Sequence, residues 1–153
     1  MVSRFRMKKR VEFADTDMAG IVHFANYVRY MEETEHAFFR SLGCSVYEEI
    51  DNRSVITWPR LHVQCDYAKP LRFEDEVEIE LIVSKRTNKT LNYHFYFFAR
   101  DEQGELQRVA TGSMIAVCVK FDTITRAMQS IEIPERFSQI VADPNFHESN
   151  ITI

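Results

Sequence analysis

The sequence predicts an α+β fold in which one long amphipathic helix faces an antiparallel sheet. Three observations predict it. A strictly alternating segment opens the chain, a single segment with helical spacing follows, and the remainder reads as strands joined by short polar turns.

The opening segment puts Phe5, Met7, Val11 and Phe13 on one parity, with Arg4, Arg6, Lys8, Arg10 and Glu12 on the other. This is the pattern of a half-buried strand, and its solvated face accounts for the basic cluster. A turn over residues 15–20 follows. Over residues 24–42 the period changes. Phe24, Tyr27, Val28, Met31, Phe38 and Leu42 recur at spacings of three and four or their multiples, which is an amphipathic helix of about five turns. Gly43 stands in the usual stop position. A second short helix is expected around residues 46–50.

The second half alternates. Leu61, Val63, Cys65 and Tyr67 interleave with His62, Gln64 and Asp66, and Pro70 closes that run. Val77, Ile79, Leu81 and Val83 interleave with Glu76, Glu78 and Glu80. The turn Thr87-Asn88-Lys89 leads into Leu91, Tyr93, Phe95 and Phe97, and Asp101-Glu102-Gln103-Gly104 marks the next hairpin. A long strand is expected over residues 106–119, a short helix near residues 134–140, and a frayed end from Asp143. The sheet therefore has about five strands. The domain runs over residues 1–142, with a C-terminal tail over residues 143–153.

Composition bounds the function. The chain has 153 residues, which suits one core, and a formal net charge of −4, which gives no basis for nucleic-acid binding. No apolar run reaches the length of a membrane span or follows the basic start as a signal would, so no membrane insertion is expected. Cys44, Cys65 and Cys118 are widely spaced and odd in number. They read as free thiols in a reducing cytoplasm, the expected location. Twelve Phe and six Tyr are rich supply for a core and for the walls of an apolar pocket.

The stretch from Ala14 to Tyr27 concentrates the chemistry. A carboxylate pair, Asp15 and Asp17, lies in a Gly-containing turn just before the helix. Helix-start amides and the macrodipole favour anions there, including an oxyanion forming on a substrate carbonyl. Asp17 is read either as a reactive carboxylate or as a turn residue satisfying local amides; Asp15 reads as a turn or cap. Gly20 is placed to supply a positive φ or a close backbone approach. Backbone amides near His23 and Phe24 are unpaired at a helix start and can face a carbonyl oxygen. His23 is either a general acid or base or a partly exposed helix-start histidine. Lys85, Arg86 and Lys89 cluster at a hairpin, as phosphate partners or as a solvated tip. No His, Cys or carboxylate spacing matches a metal site, and no nucleotide-binding or serine-hydrolase motif is present; neither a metal nor a cofactor is expected.

The run Val11-Glu12-Phe13-Ala14-Asp15-Thr16-Asp17, then Ala19-Gly20-Ile21-Val22, then Asn26-Tyr27, resembles the hotdog-fold acyl-CoA thioesterases of the 4-hydroxybenzoyl-CoA thioesterase type. The related Tol–Pal-cluster thioesterases share the pattern. The resemblance continues more loosely through Lys120, including Tyr67-Ala68-Lys69-Pro70 and Lys89-Thr90. It implies a long helix wrapped by an antiparallel sheet, homodimers or homotetramers, and active sites at subunit interfaces. It implies that Asp17, not Asp15, attacks the thioester carbonyl or activates water. The Phe24 amide would polarise the thioester oxygen, Gly20, Asn26 and Tyr27 would line the substrate site, and the basic hairpin would meet CoA phosphates. Two departures stand out. The Tol–Pal-cluster histidine falls seven residues after the catalytic Asp, where this chain has Phe24 and carries His23 one place earlier. The hairpin also holds Thr87 and Asn88 among its basic residues.

The expected activity is hydrolysis of a CoA thioester with a small aromatic or short-chain acyl group. Thiolate is a good leaving group, so one carboxylate with backbone donors can suffice without a triad. The alternative is a non-catalytic acyl-CoA-binding hotdog module. A hydratase on the same fold fits less well, because the usual His four residues after the Asp is absent.

Overall fold

The computed structural model describes residues 1–147. The chain runs through β1 (Arg4–Arg10), a 3-10 turn (Phe13–Asp15), α1 (Phe24–Ser41), β2 (Glu48–Glu49), β3 (Ser54–Thr57), β4 (Arg60–Tyr67), β5 (Glu76–Arg86), β6 (Thr90–Arg100), β7 (Leu106–Val117), β8 (Val119–Asp122), β9 (Met128–Ser130) and a 3-10 turn (Glu135–Phe137). The five-stranded sheet has the order β1-β5-β6-β7-β4, antiparallel throughout. Helix α1 packs on one face of it, in agreement with the α+β hotdog expectation.

The helix buries Tyr27, Tyr30, Met31, Thr34, Glu35, Phe38 and Phe39. Leu81, Val83, Leu91, Tyr93, Phe95 and Phe97 of the sheet meet it from below. The period-2 alternation of β5 and β6 is what brings these residues to one face. Gly112 on β7 leaves room for the Met31 side chain of the helix, because a Cβ there would sit 2.3 Å from the Met31 sulfur. No helix among the described residues is long and apolar enough to cross a membrane.

Several elements differ from expectation. The first strand ends at Arg10, and Phe13 turns out into solvent within the 3-10 turn. The expected helix at residues 46–50 is instead the short strand β2, paired with β3. It belongs to a second sheet, β2-β3-β8-β9, which the sequence reading omits. The long strand expected over residues 106–119 breaks at Cys118, whose amide donates to Lys89 O while its carbonyl accepts from Ile131 N. Beyond the break the chain changes sheets. The C-terminal helix is a single 3-10 turn.

The tail expected to fray from Asp143 is held at its first residue. Asp143 is buried, its carboxylate pairs with Arg4, and its amide donates to Val83 O at 2.8 Å. Phe146 packs on His94 at 4.7 Å. The remainder of the tail, residues 148–153, lies outside the described residues.

One buried polar group interrupts the apolar helix face. Glu35 is fully buried and forms a bidentate pair with the Arg60 guanidinium, which also donates to Trp58 O at 2.9 Å. Burial pushes the Glu35 carboxyl up to about 7, and Arg60 opposes that push. The Tyr93 hydroxyl is buried beside the pair, and its burial and the nearby Glu35 push its pKa well up.

Candidate active site

The loop between β1 and α1 is built from its own polar groups. Asp15 closes a capping box with Glu12, accepting the Glu12 amide at 3.0 Å. The same carboxylate oxygen accepts the Tyr30 hydroxyl at 2.7 Å. The Asp15 carbonyl accepts the His23 amide at 2.9 Å and the Asn26 side-chain amide at 2.8 Å. Asp15 is thus the knot of the loop, and burial together with this bond raises the Tyr30 hydroxyl pKa. Asn26, expected at the substrate, has its Nδ2 bonded into this knot.

Two residues on, Asp17 is held differently. Its Oδ1 accepts the Ala19 amide at 2.8 Å, an Asx turn. Gly20 N donates to Asp17 O at 3.0 Å, and Asp17 N donates to Ile21 O at 2.9 Å. Gly20 completes this tight turn with φ +77°, the conformation expected of it. No side chain among the described residues pairs with the Asp17 carboxylate.

Helix α1 starts at Phe24 with His23 as its cap. His23 Nδ1 accepts the Ala25 amide at 3.1 Å, and His23 O accepts the Asn26 amide at 2.9 Å. The His23 amide is itself committed to Asp15. The Phe24 amide is left without a protein acceptor among the described residues. It lies where the helix dipole adds to its attraction for an oxygen anion. The imidazole works as a cap, and its ring stacks on Phe24 at 4.5 Å.

Asp17 and Phe24 line one cavity of about 430 Å³ with Ile21, Val22, Tyr27, Tyr67, Ala68, Lys69 and Pro70. That volume suits a small organic group. Tyr27 and Tyr67 meet edge to face at 4.9 Å, and Tyr27 packs on Phe97 at 5.5 Å. Burial pushes both phenols up to about 12, so they stand as neutral donors at physiological pH. A second hollow flanks Asp17 on its other side, lined by Phe13, Ala14, Thr16, Met18 and Gly20.

The basic hairpin is not part of this cavity. Tyr67 registers with Ala110 and so with Phe97, whereas the hairpin joins β6 at Thr90. Seven residues of strand separate the two levels, roughly 23 Å. Arg86 is partly committed within the fold, since its Nη1 donates to Phe137 O at 2.8 Å and Ile140 O at 2.6 Å. Lys85 is exposed, and Lys89 reaches Ser130 Oγ at 3.4 Å. Sequence reasoning gave Tyr67 and Lys69 no chemical role, though the strand-ending Tyr67-x-x-Pro70 pattern marks where β4 delivers them.

Residues 11–141 match the thioesterase-like superfamily. The chain belongs to that superfamily and groups within it with hydrolases of acyl-CoA thioesters. It is 28% identical over 144 residues to a 1,4-dihydroxy-2-naphthoyl-CoA hydrolase of Synechococcus elongatus, covering 91% of this chain and 98% of the relative. The structure of a gentisyl-coenzyme A thioesterase superposes with a TM-score of 0.73 at 30% identity, covering 88% of this chain and 99% of that one. A variant of 4-hydroxybenzoyl-CoA thioesterase, complexed with 4-hydroxybenzoyl-CoA, has the same fold, with a TM-score of 0.74 at 18% identity over 90% of this chain and 98% of that one.

Proposed function

We propose that this protein hydrolyses CoA thioesters of small aromatic acids, with Asp17 as the reacting carboxylate and the Phe24 amide as the oxyanion donor. The observation that carries this reading is a carboxylate with one oxygen uncommitted among the described residues and an unpaired helix-start amide, lining one aromatic-walled cavity. As the carbonyl carbon becomes tetrahedral, negative charge grows on its oxygen, and the Phe24 N–H stabilises that charge. The Asp17 carboxylate acts in one of two ways. It adds to the carbonyl carbon and expels CoA thiolate, leaving a mixed anhydride that water then cleaves. Otherwise it takes a proton from water as the water oxygen adds, and the thiolate leaves from the tetrahedral intermediate. Both routes yield the free acid and CoA. The Tyr27 and Tyr67 rings favour a planar aromatic acyl group over a long alkyl chain, and three relatives carry names of aromatic CoA esters.

The working unit we infer is a homodimer. Strand β4 is an open sheet edge with Leu61 63% and Tyr67 47% exposed, and Phe13 and Phe73 stand in solvent beside the site. A second copy would cover these apolar groups. In such an assembly Lys85 and Lys89 could meet CoA phosphates from a neighbouring subunit.

A panel of aroyl-CoA and fatty acyl-CoA esters with thiol detection tests the reading. The expected result is faster thiol release from benzoyl-type esters than from long-chain ones. Tight CoA-ester binding without thiol release would instead mark a binding module.

A further inference from the structure

The Phe24 amide can polarise a thioester only if it is held in direction, and its own side chain does little to hold it. Phe24 is 66% exposed, and its ring contacts the partly exposed His23 ring. The bonds that shape the preceding loop all come from within residues 12–30 or from the Val22 amide to Leu71 O. One side chain reaches Phe24 from the sheet. The Tyr67 hydroxyl donates to Phe24 O at 2.9 Å across 43 residues of sequence.

Tyr67 is suited to hold a neighbour. It is the last residue of β4, registered with Ala110. Its ring rests edge-on against Tyr27, which is buried and rests in turn on Phe97 of β6. A continuous brace therefore runs from the central strand through Tyr27 and Tyr67 to the first residue of the helix. Its outer link is a single hydroxyl.

We propose that Tyr67 is a positioning residue for thioester hydrolysis, anchoring the Phe24–Ala25 peptide and, through the shared Phe24 Cα, steadying the adjoining His23–Phe24 peptide so that the Phe24 N–H faces the substrate carbonyl oxygen. This rests on the reading of Phe24 as oxyanion donor. Tyr67→Phe keeps the ring, the cavity wall and the contact with Tyr27, and removes the hydroxyl with its bond to Phe24 O and its interaction with the Cys65 thiol. Loss of one such hydrogen bond in the transition state corresponds to a fall in kcat of about three- to tenfold. KM should stay within about twofold, because the bond to the carbonyl oxygen is weak in the ground state and strengthens as charge grows on that oxygen in the transition state.

The test combines these kinetics with the carbonyl stretching frequency of a bound aroyl-CoA, measured by difference infrared spectroscopy in the slow Asp17→Asn background. The expected result is a band lowered relative to the free ester in Asp17→Asn, moving back toward the free value when Tyr67→Phe is added. A lowered band that Tyr67→Phe leaves in place overturns the role of Tyr67 and leaves the Phe24 reading standing. A band that is not lowered in Asp17→Asn itself overturns the Phe24 reading and the brace with it. A rise in KM with kcat unchanged would make Tyr67 a binding wall and also overturns the proposal.

Discussion

The start of α1 and its middle each face a carboxylate, and the two are built in opposite ways. Glu35, mid-helix, is sealed: no surface is exposed, and Arg60 meets both of its oxygens. Asp17, before the helix, has one amide bond and an open cavity in front of it. Glu35 carries the large pKa perturbation, yet a paired acid walled in by side chains has no room for a substrate. What separates the two is accessibility of an unpaired oxygen beside an unpaired donor. Asp15 is a third case within the same loop. It is close in sequence to Asp17, but its Oδ2 is taken by Glu12 and Tyr30 and it does not line the cavity.

The contrast can be broken at either end. The largest effect is expected from Arg60→Met, which strands Glu35 without its partner and should cost roughly 3 to 5 kcal/mol of stability, read by denaturant unfolding. Asp17→Asn should lower kcat at least about 100-fold, near 2.7 kcal/mol, with the melting temperature unchanged, since the amide oxygen still accepts from Ala19. Full turnover in that variant would remove Asp17 from the chemistry.

Next comes pH. Glu35 has a folded pKa raised to about 7 above its ordinary 4.5. The folded state therefore binds this proton more tightly, and the group's contribution to stability grows as pH falls through that interval and is lost as pH rises through 7. Against Glu35→Gln, the wild-type protein should gain on the order of 2 kcal/mol between about pH 7.5 and about pH 5. A shift of the opposite sign would mean that Arg60 dominates and holds Glu35 ionised throughout. Asp15→Ala should cost about 2 kcal/mol in thermal or chemical unfolding, through loss of the Tyr30 and Glu12 bonds. The smallest effect belongs to His23→Ala. The lost cap should cost about 1 kcal/mol, and kcat should fall less than about tenfold.

Periodicity made most of the fold legible. The helix over residues 24–42 and the strands of the main sheet follow from local spacing, and the helix starts at Phe24 and stops before Gly43 as read. The second sheet escaped because β2, β3 and β9 span two to four residues each, too short for a period to show. Glu35 was missed although it lies four residues after Met31 and three before Phe38, on the apolar face of the helix. Spacing marks a face but does not say which polar residue across the core will neutralise a charge placed there. Arg86 is a related case, because nothing local announces that its Nη1 donates to carbonyls some fifty residues on.

By itself, the sequence determined the local elements, the turn at Gly20, and the placement of a carboxylate and a bare helix amide at one helix start. These depend on backbone preferences and on neighbours a few residues apart, which the order of residues specifies directly. The tertiary structure alone decided which carboxylate is left open and which is sealed, and that Tyr27 and Tyr67 wall the cavity. It also decided that a sheet hydroxyl reaches the first residue of the helix. Those outcomes depend on pairing between residues tens of positions apart, and only the packed chain brings such residues within bonding distance.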